Sequence, residues 1–332
     1  MDRFAFFYQL WPDPPVFVIA SGLTIEHGVA LALAHAGGRE SHVLVRPSWA
    51  MAAHAHQVVT ADQWLKTNQP HLRLTAMAPS GEEALAWEAL GVNALHAHNL
   101  AFIDEAIFRP DPDAPKLYGA VHTAQTAAFK RHELALGVPD IALITYVGED
   151  GAESVASLRA RYRSLAFVNE GMGLTPWQVR DVLVRAHCGL VLSAEEGPNN
   201  ATMEYFLCGI PLVSTSSIGG RDAMYEPGHV ALVPPAAAAV EAAVASFVAR
   251  APDPGAIRAA ALAKTRAHRE RMIAWLSAIA GRDLFSLADS DLWLPQFCDK
   301  MREFWVLRPQ GDGQAIAHCL SRPDRPRAAA SA

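Results

Sequence analysis

Cysteine is scarce in this chain: the 332 residues hold four, Cys188, Cys208, Cys298 and Cys319, and none stands in a CxxC spacing. That points to reduced thiols and not to a disulfide framework, and Cys188 and Cys208 flank core strands where cysteine packs as a small hydrophobe. No uninterrupted apolar run reaches the length of about eighteen residues that a bilayer demands. The opening MDRFAFFYQLWPDPP begins with an acid and a base and is broken by prolines, unlike the core of a signal peptide. The expected location is therefore the cytoplasm. Positive charge is also short, with 28 Lys and Arg against 34 Asp and Glu and a formal net charge of −6. A chain so balanced is not expected to bind nucleic acid. Roughly the first hundred residues are themselves acidic, which leaves at most a weak contact with a membrane surface.

What is present is the rhythm of an α/β protein. PVFVIASGLTIEHGVALALAHAGGRESHVLV reads as strand, glycine turn, helix, glycine stop and strand, the opening of a Rossmann-like unit. TADQWLKTN, HLRLTAMA, SGEEALAWEAL and NALHAH continue the alternation and bring the count to about four parallel strands. The proline-rich FRPDPDAPK, residues 108–116, marks a joint. Six further apolar runs follow, LYGAV, IALITYV, LAFV, GLVLS, PLVST and VALV, separated by helical stretches such as TPWQVRDVLVRAH. That pattern predicts a doubly wound parallel sheet with its ligand site at the carboxyl ends of the strands. An alanine-rich stretch from Pro235 to about Ile279 reads as helical, DLWLPQFCDKMREFW as a final helix, and the residues after Arg322 as a frayed tail.

Chemistry concentrates in SAEEGPNNATMEYFLCGIPLVST, residues 193–215. Glu196 follows an apolar strand, and Gly197 gives the turn. Asn199 or Asn200 can cap the next helix, whose exposed amides attract an anion. Glu204 falls about one helical turn further in, before Gly209 and Pro211 stop the helix. The result is a phosphate cradle with a carboxylate on either side.

These residues resemble the Glu-x7-Glu signature of retaining GT-B glycosyltransferases of the family 4 type, and the similarity extends over roughly residues 95 to 250. The resemblance implies two Rossmann-like domains, the first reduced. Residues 1–108 would form the acceptor-side domain and 109–285 the nucleotide-sugar domain. A helical segment, 286–321, would return toward the first domain, ahead of a tail at 322–332. It implies a metal-independent transfer of a sugar from a nucleotide-diphosphate sugar to a hydroxyl acceptor, whether glycan, lipid or small molecule, with no cofactor.

In that frame Glu196 holds the donor sugar, Glu204 the ribose, and the amides of Ala201 and Thr202 face the diphosphate. Lys130 and Arg131, in AAFKRHELA, match the family's basic pair for the leaving group, and Val168 and Asn169 lie beside the nucleobase. The family's arginine soon after the strand glycine is missing, since His122, Thr123, Ala124 and Gln125 stand there. Arg221 could share the load. The Ser21-Gly22 turn resembles the loop facing donor and acceptor, and His27, His96 and His98 are acceptor-side candidates. The strings Asp111–Asp113 and Asp289–Asp291 read as chance, and no metal is expected. Two alternatives stay open: a non-catalytic nucleotide-sugar-binding or partner subunit, and a sugar-nucleotide epimerase on the same fold.

Overall fold

The computed structural model describes residues 5–20, 25–46, 51–147, 153–218, 220–288 and 305–307. The chain divides into two units, Met1–Phe102 with His268–Ala332, and Ile103–Ala267.

The first unit opens with an antiparallel hairpin of β1 (Ala5–Pro12) and β2 (Pro15–Ala20), turned through a cis Asp13–Pro14 bond. There follow α1 (Ile25–Ala36), β3 (Ser41–Arg46), α2 (Ala55–Asn68), β4 (Leu72–Ala78), α3 (Gly81–Ala89) and β5 (Asn93–His96). β2 to β5 are parallel neighbours in chain order, the four strands that the alternation predicts. Side chains alternate between two cores. Phe17, Ile19, Val43 and Val45 meet Val29, Ala61, Leu65 and Trp87 of α1 to α3 on one face, while Val16, Val18 and Leu44 turn to the other. A parallel sheet covered on both faces has no need of polar positions, so its strands read as continuous apolar runs.

The second unit contains β6 (Ala120–Thr123), β7 (Ile141–Ile144), α4 (Val155–Arg161), β8 (Leu165–Val168), α5 (Pro176–Leu183) and β9 (Gly189–Val191). It continues with α6 (Asn200–Leu207), β10 (Leu212–Thr215), β11 (Val230–Val233) and α7 (Ala237–Arg250). Thr175 and Gln178 form a reciprocal capping box at the start of α5, with Pro176 in its first turn. All six apolar runs became strands, in the order β11-β10-β9-β6-β7-β8, with every pairing parallel. The chain lays down β6, β7 and β8 in one direction and then returns to place β9 on the other side of β6. That reversal opens a crevice at the carboxyl ends of β6 and β9, where doubly wound sheets hold their ligands.

The alanine-rich stretch forms α7 and then α8 (Pro254–Ala280), a helix through which the chain passes from the second unit back into the first. There Met272, Ile273 and Leu276 of α8 complete the core under Val16, Val18 and Leu44. The strand β12 (Trp305–Leu307) pairs antiparallel with β1, giving the first sheet the order β12-β1-β2-β3-β4-β5. The helix expected over DLWLPQFCDKMREFW lies outside the described residues except for its last residue, Trp305, which opens β12 instead.

Candidate functional site

The crevice between β6 and β9 is built from three loops. After β6 the backbone is held at the sheet edge by Ala124 and Thr126, whose amides donate to the carbonyls of Ile144 and Tyr146 at 3.0 and 2.9 Å. Two short 3-10 turns then flank Arg131, which stands in the left-handed region at φ 51°. His132 pins this loop from below. Its Nε2 lies 2.9 Å from the Gln125 carbonyl and its Nδ1 lies 2.8 Å from the Tyr162 hydroxyl, so Nε2 carries the hydrogen and Nδ1 accepts from the phenol. Burial lowers the pKa of His132, and burial followed by the nearby His132 and Lys130 pushes His122 well below the usual range. Both rings are therefore neutral supports.

The loop presents Lys130 to Glu196, which stands in the turn after β9, and the two side chains, 10% and 14% exposed, form an ion pair through Nζ and Oε1. The Phe129 ring lies 5.2 Å from the ammonium. The other carboxylate oxygen, Oε2, accepts from the Ser193 hydroxyl and, at 2.7 Å, from Asn199 Nδ2. Asn199 is thus the N-cap residue of α6 by position only; its side chain makes no capping bond and is spent on Glu196. The Glu196 amide donates to the Ile218 carbonyl at 2.9 Å, which ties this turn to the loop after β10.

The other expected residues divide clearly. Gly197, in the turn before α6, and Ala201, in its first turn, are buried, and Glu204 is half-buried within the helix. The Thr202 amide donates back to the Asn199 carbonyl at 3.1 Å, so the outward amides of this helix are those preceding it, and Thr202 corrects the expectation of a diphosphate-facing amide. Arg131 is half-buried, and its pKa is lowered by burial and by the like charge of Arg221. Val168 ends β8. Asn169 spends its amide on backbone: Oδ1 accepts from Thr145 N at 2.9 Å and Nδ2 donates to the carbonyls of Thr145 and Met172. It shapes the rim beside β7 and β8 and does not offer its side chain to solvent.

Gly22 and the Asp289–Asp291 string lie outside the described residues. Asp111 accepts from the Asp113 amide and pairs with Arg180 at 3.3 Å, the role of a loop staple. Among the described residues no group of three His, Cys, Asp or Glu side chains is gathered to hold a metal. His27, His96 and His98 belong to the first unit. His27 sits 3.5 Å from Glu26 in the first turn of α1. His98 is wholly buried, with Nδ1 accepting from the Leu100 amide at 3.1 Å, which makes it a loop support and not an open contact. His96 packs edge-on against His268, ring centroids 5.4 Å apart.

Sequence reasoning missed Ser193, Asn199 as a carboxylate donor, and the His132–Tyr162 support. Ser193 gave a faint signal, a hydroxyl at the end of a buried strand three residues before Glu196.

No protein-family model matches the chain, and no curated protein does. Solved structures do. HepE of Anabaena in complex with UDP aligns with a TM-score of 0.55 at 13% identity over 79% of this chain and 78% of HepE, and the same protein with UDP and glucose aligns equally well. A variant of S. aureus TarM, in complex with fondaparinux, alpha-GlcNAc-glycerol and UDP, aligns at 0.53 and 13% identity over 76% of this chain and 58% of TarM. The chain has the GT-B fold of two Rossmann-like units.

Proposed function

We propose that the protein transfers a sugar from a nucleoside-diphosphate sugar to a hydroxyl acceptor, with retention at the anomeric carbon and without a metal. The observation that carries this reading is the Lys130–Glu196 pair at the crevice between β6 and β9, beside the start of α6. Two cations, Lys130 and Arg221, flank the one Glu196 carboxylate, which favours an anionic ligand. From β9 to the rim after β8 is three strand spacings, about 14 Å at about 4.8 Å each, the scale of a nucleoside diphosphate and not of a free phosphate.

In this reading the arriving diphosphate takes Lys130 from Glu196 and frees Oε1 for a sugar hydroxyl. As the bond from the anomeric carbon to the phosphate oxygen breaks, the growing negative charge falls on Lys130 and the first amides of α6, which act as fixed electrostatic stabilisers. The new carbon–oxygen bond forms on the same face, and the acceptor proton passes to the departing phosphate oxygen. No side-chain base is required. The UDP complexes of HepE and TarM, proteins of the same fold, support a nucleotide as the ligand.

A thermal-shift screen with UDP, GDP and ADP and their sugars, with EDTA present, tests the reading. A ligand bound only by the folded state raises the melting temperature. Glu204→Ala is expected to weaken nucleotide binding by about 1.5–3 kcal/mol, the value of a hydrogen bond to a charged group. Lys130→Ala is expected to lower turnover by about 100-fold. Loss of binding on chelation, or a β-linked product from an α-linked donor by NMR, overturns the mechanism. Tight binding without any transfer leaves a nucleotide-sugar-binding subunit.

A further inference from the structure

Arg221 opens a 3-10 turn after β10 and is 1% exposed. Its Nη1 donates to the Ser193 carbonyl at 2.8 Å and the Ser193 hydroxyl at 2.7 Å. Its Nη2 donates to the Thr215 carbonyl at 2.6 Å and to Ser214 Oγ at 3.2 Å. The four outer N–H groups of the guanidinium are thus committed to the ends of β9 and β10, and the fifth, at Nε, is enclosed. None is left to reach a ligand. A cation so placed cannot replace the arginine missing after β6 by touching the diphosphate.

Its effect passes through Ser193. The Ser193 hydroxyl accepts from Arg221 and gives its single proton to Glu196 Oε2, while Nη1 itself stands 3.9 Å from that oxygen. A hydroxyl that accepts a charge-assisted bond is polarised into a stronger donor. Asn199 holds the same oxygen from the other side. Oε2 is therefore anchored to the body of the unit, and only Oε1, on Lys130, is free to exchange partners.

We infer that Arg221 is a positioning residue that acts through Ser193 to fix the Glu196 carboxylate with Oε2 inward and Oε1 presented to the donor sugar. This rests on reading Glu196 as the sugar-binding carboxylate. It separates two functions that a diphosphate-binding arginine would combine. Disturbing the chain of contacts impairs transfer of the sugar and spares the affinity for the bare nucleotide.

The test compares Ser193→Ala, Arg221→Gln, Arg221→Lys and the double variant Ser193→Ala/Arg221→Gln with the parent. Kd for UDP, GDP or ADP is measured by calorimetry, and kcat and KM with the matching nucleotide sugar. Ser193→Ala is expected to lower kcat about tenfold or more with nucleotide Kd within about threefold of the parent. Arg221→Gln is expected to move kcat the same way, and the double variant to be no worse than the more severe single, because both break one chain. Arg221→Lys keeps the charge, loses the fork, and is expected to recover only part of the rate.

A parent-like kcat for Ser193→Ala, or a rise of more than about tenfold in nucleotide Kd for Arg221→Gln, overturns the inference. Should Arg221→Gln not fold, Ser193→Ala decides alone. Urea unfolding of Ser193→Ala, Glu196→Gln and their double supplies an arm that needs no ligand. Shifts that are not additive are expected, and strict additivity overturns the contact. A parent that binds no nucleotide ends the reading of the site, and the unfolding cycle then decides the inference.

Discussion

The polar side chains shielded from water in this protein include some whose polar atoms all have partners and some whose polar atoms have none. Glu196 belongs to the first, with Lys130 on one oxygen and Ser193 and Asn199 on the other. His54 belongs to the second. It is 2% exposed, packs against Trp87 with ring centroids 6.0 Å apart, and neither ring nitrogen has a hydrogen-bond partner among the described residues. Burial pushes its pKa down to about 4. The unfolded chain has an ordinary imidazole near pH 6.5, so between about 6.5 and about 4 the unfolded state binds the proton that the folded state refuses. Stability on this account is complete above pH 6.5 and falls with acidification, by at most about 3.5 kcal/mol at about 1.4 kcal/mol per pH unit. His54→Leu is expected to flatten that acid limb in urea unfolding curves taken from pH 7 to pH 4.5. His54 precedes α2 without capping it, so no cap is lost with the ring. An unchanged slope would show that the imidazole is not the group responsible.

At the scale of the element, α6 and β9 depend on one close approach. A Cβ on Gly189 would stand 2.1 Å from the Tyr205 ring, which crosses β9 and whose hydroxyl accepts from the Thr123 amide at the end of β6 at 2.9 Å. Gly189→Ala must displace that ring, and overpacking of this kind costs about 1–3 kcal/mol. Because Thr123 leads into the Lys130 loop, the variant is expected to weaken nucleotide binding as well as to lower the melting temperature; a shift in melting temperature alone would sever the link. Glycine and proline made much of this region legible beforehand. Gly209, at φ 72°, ends α6 as its place in the sequence suggests, and the apolar runs on either side became β9 and β10. The carboxylates of the Glu-x7-Glu spacing were equally plain, as was the basic pair. What stayed hidden is what partners decide. β1 shows no alternation because Phe7 faces one core and Tyr8 and Leu10 face the other, and its neighbour β12 comes from the far end of the chain. Asn199 looks like a cap, and only the fold reveals that a carboxylate claims it first. Arg221 reads as a cation able to share the load of the diphosphate, and its four acceptors, on Ser193 after β9 and on Ser214 and Thr215 of β10, come from segments that the sequence does not bring together.

Along the whole chain, the second unit is threaded between the two segments of the first. The chain leaves the first unit at Phe102 and returns at His268, and these points lie side by side within that unit. Arg269 Nε donates to the Ala101 carbonyl at 2.7 Å, and Phe102 shares a core with Met272. Replacing residues 103–267 by a short Gly/Ser linker is therefore expected to leave a first unit that unfolds cooperatively by circular dichroism, because closure of a short loop between adjacent ends costs little. A chain without a cooperative transition would show that the first unit cannot stand without the second.

The same threading sets an order in time. Ala5 pairs with Leu307, and the apolar face formed by Tyr8, Leu10, Val16, Val18 and Leu44 is covered by residues of α8. A ribosome adding about 5–20 residues per second needs roughly 10–40 s to go from Phe102 to β12. Throughout that interval the second unit emerges and can close on itself, while the earliest-made sheet waits with one face bare. The half of the protein that is synthesised first is thus finished last, and during each round of translation it is the half that chaperones have the longest opportunity to hold.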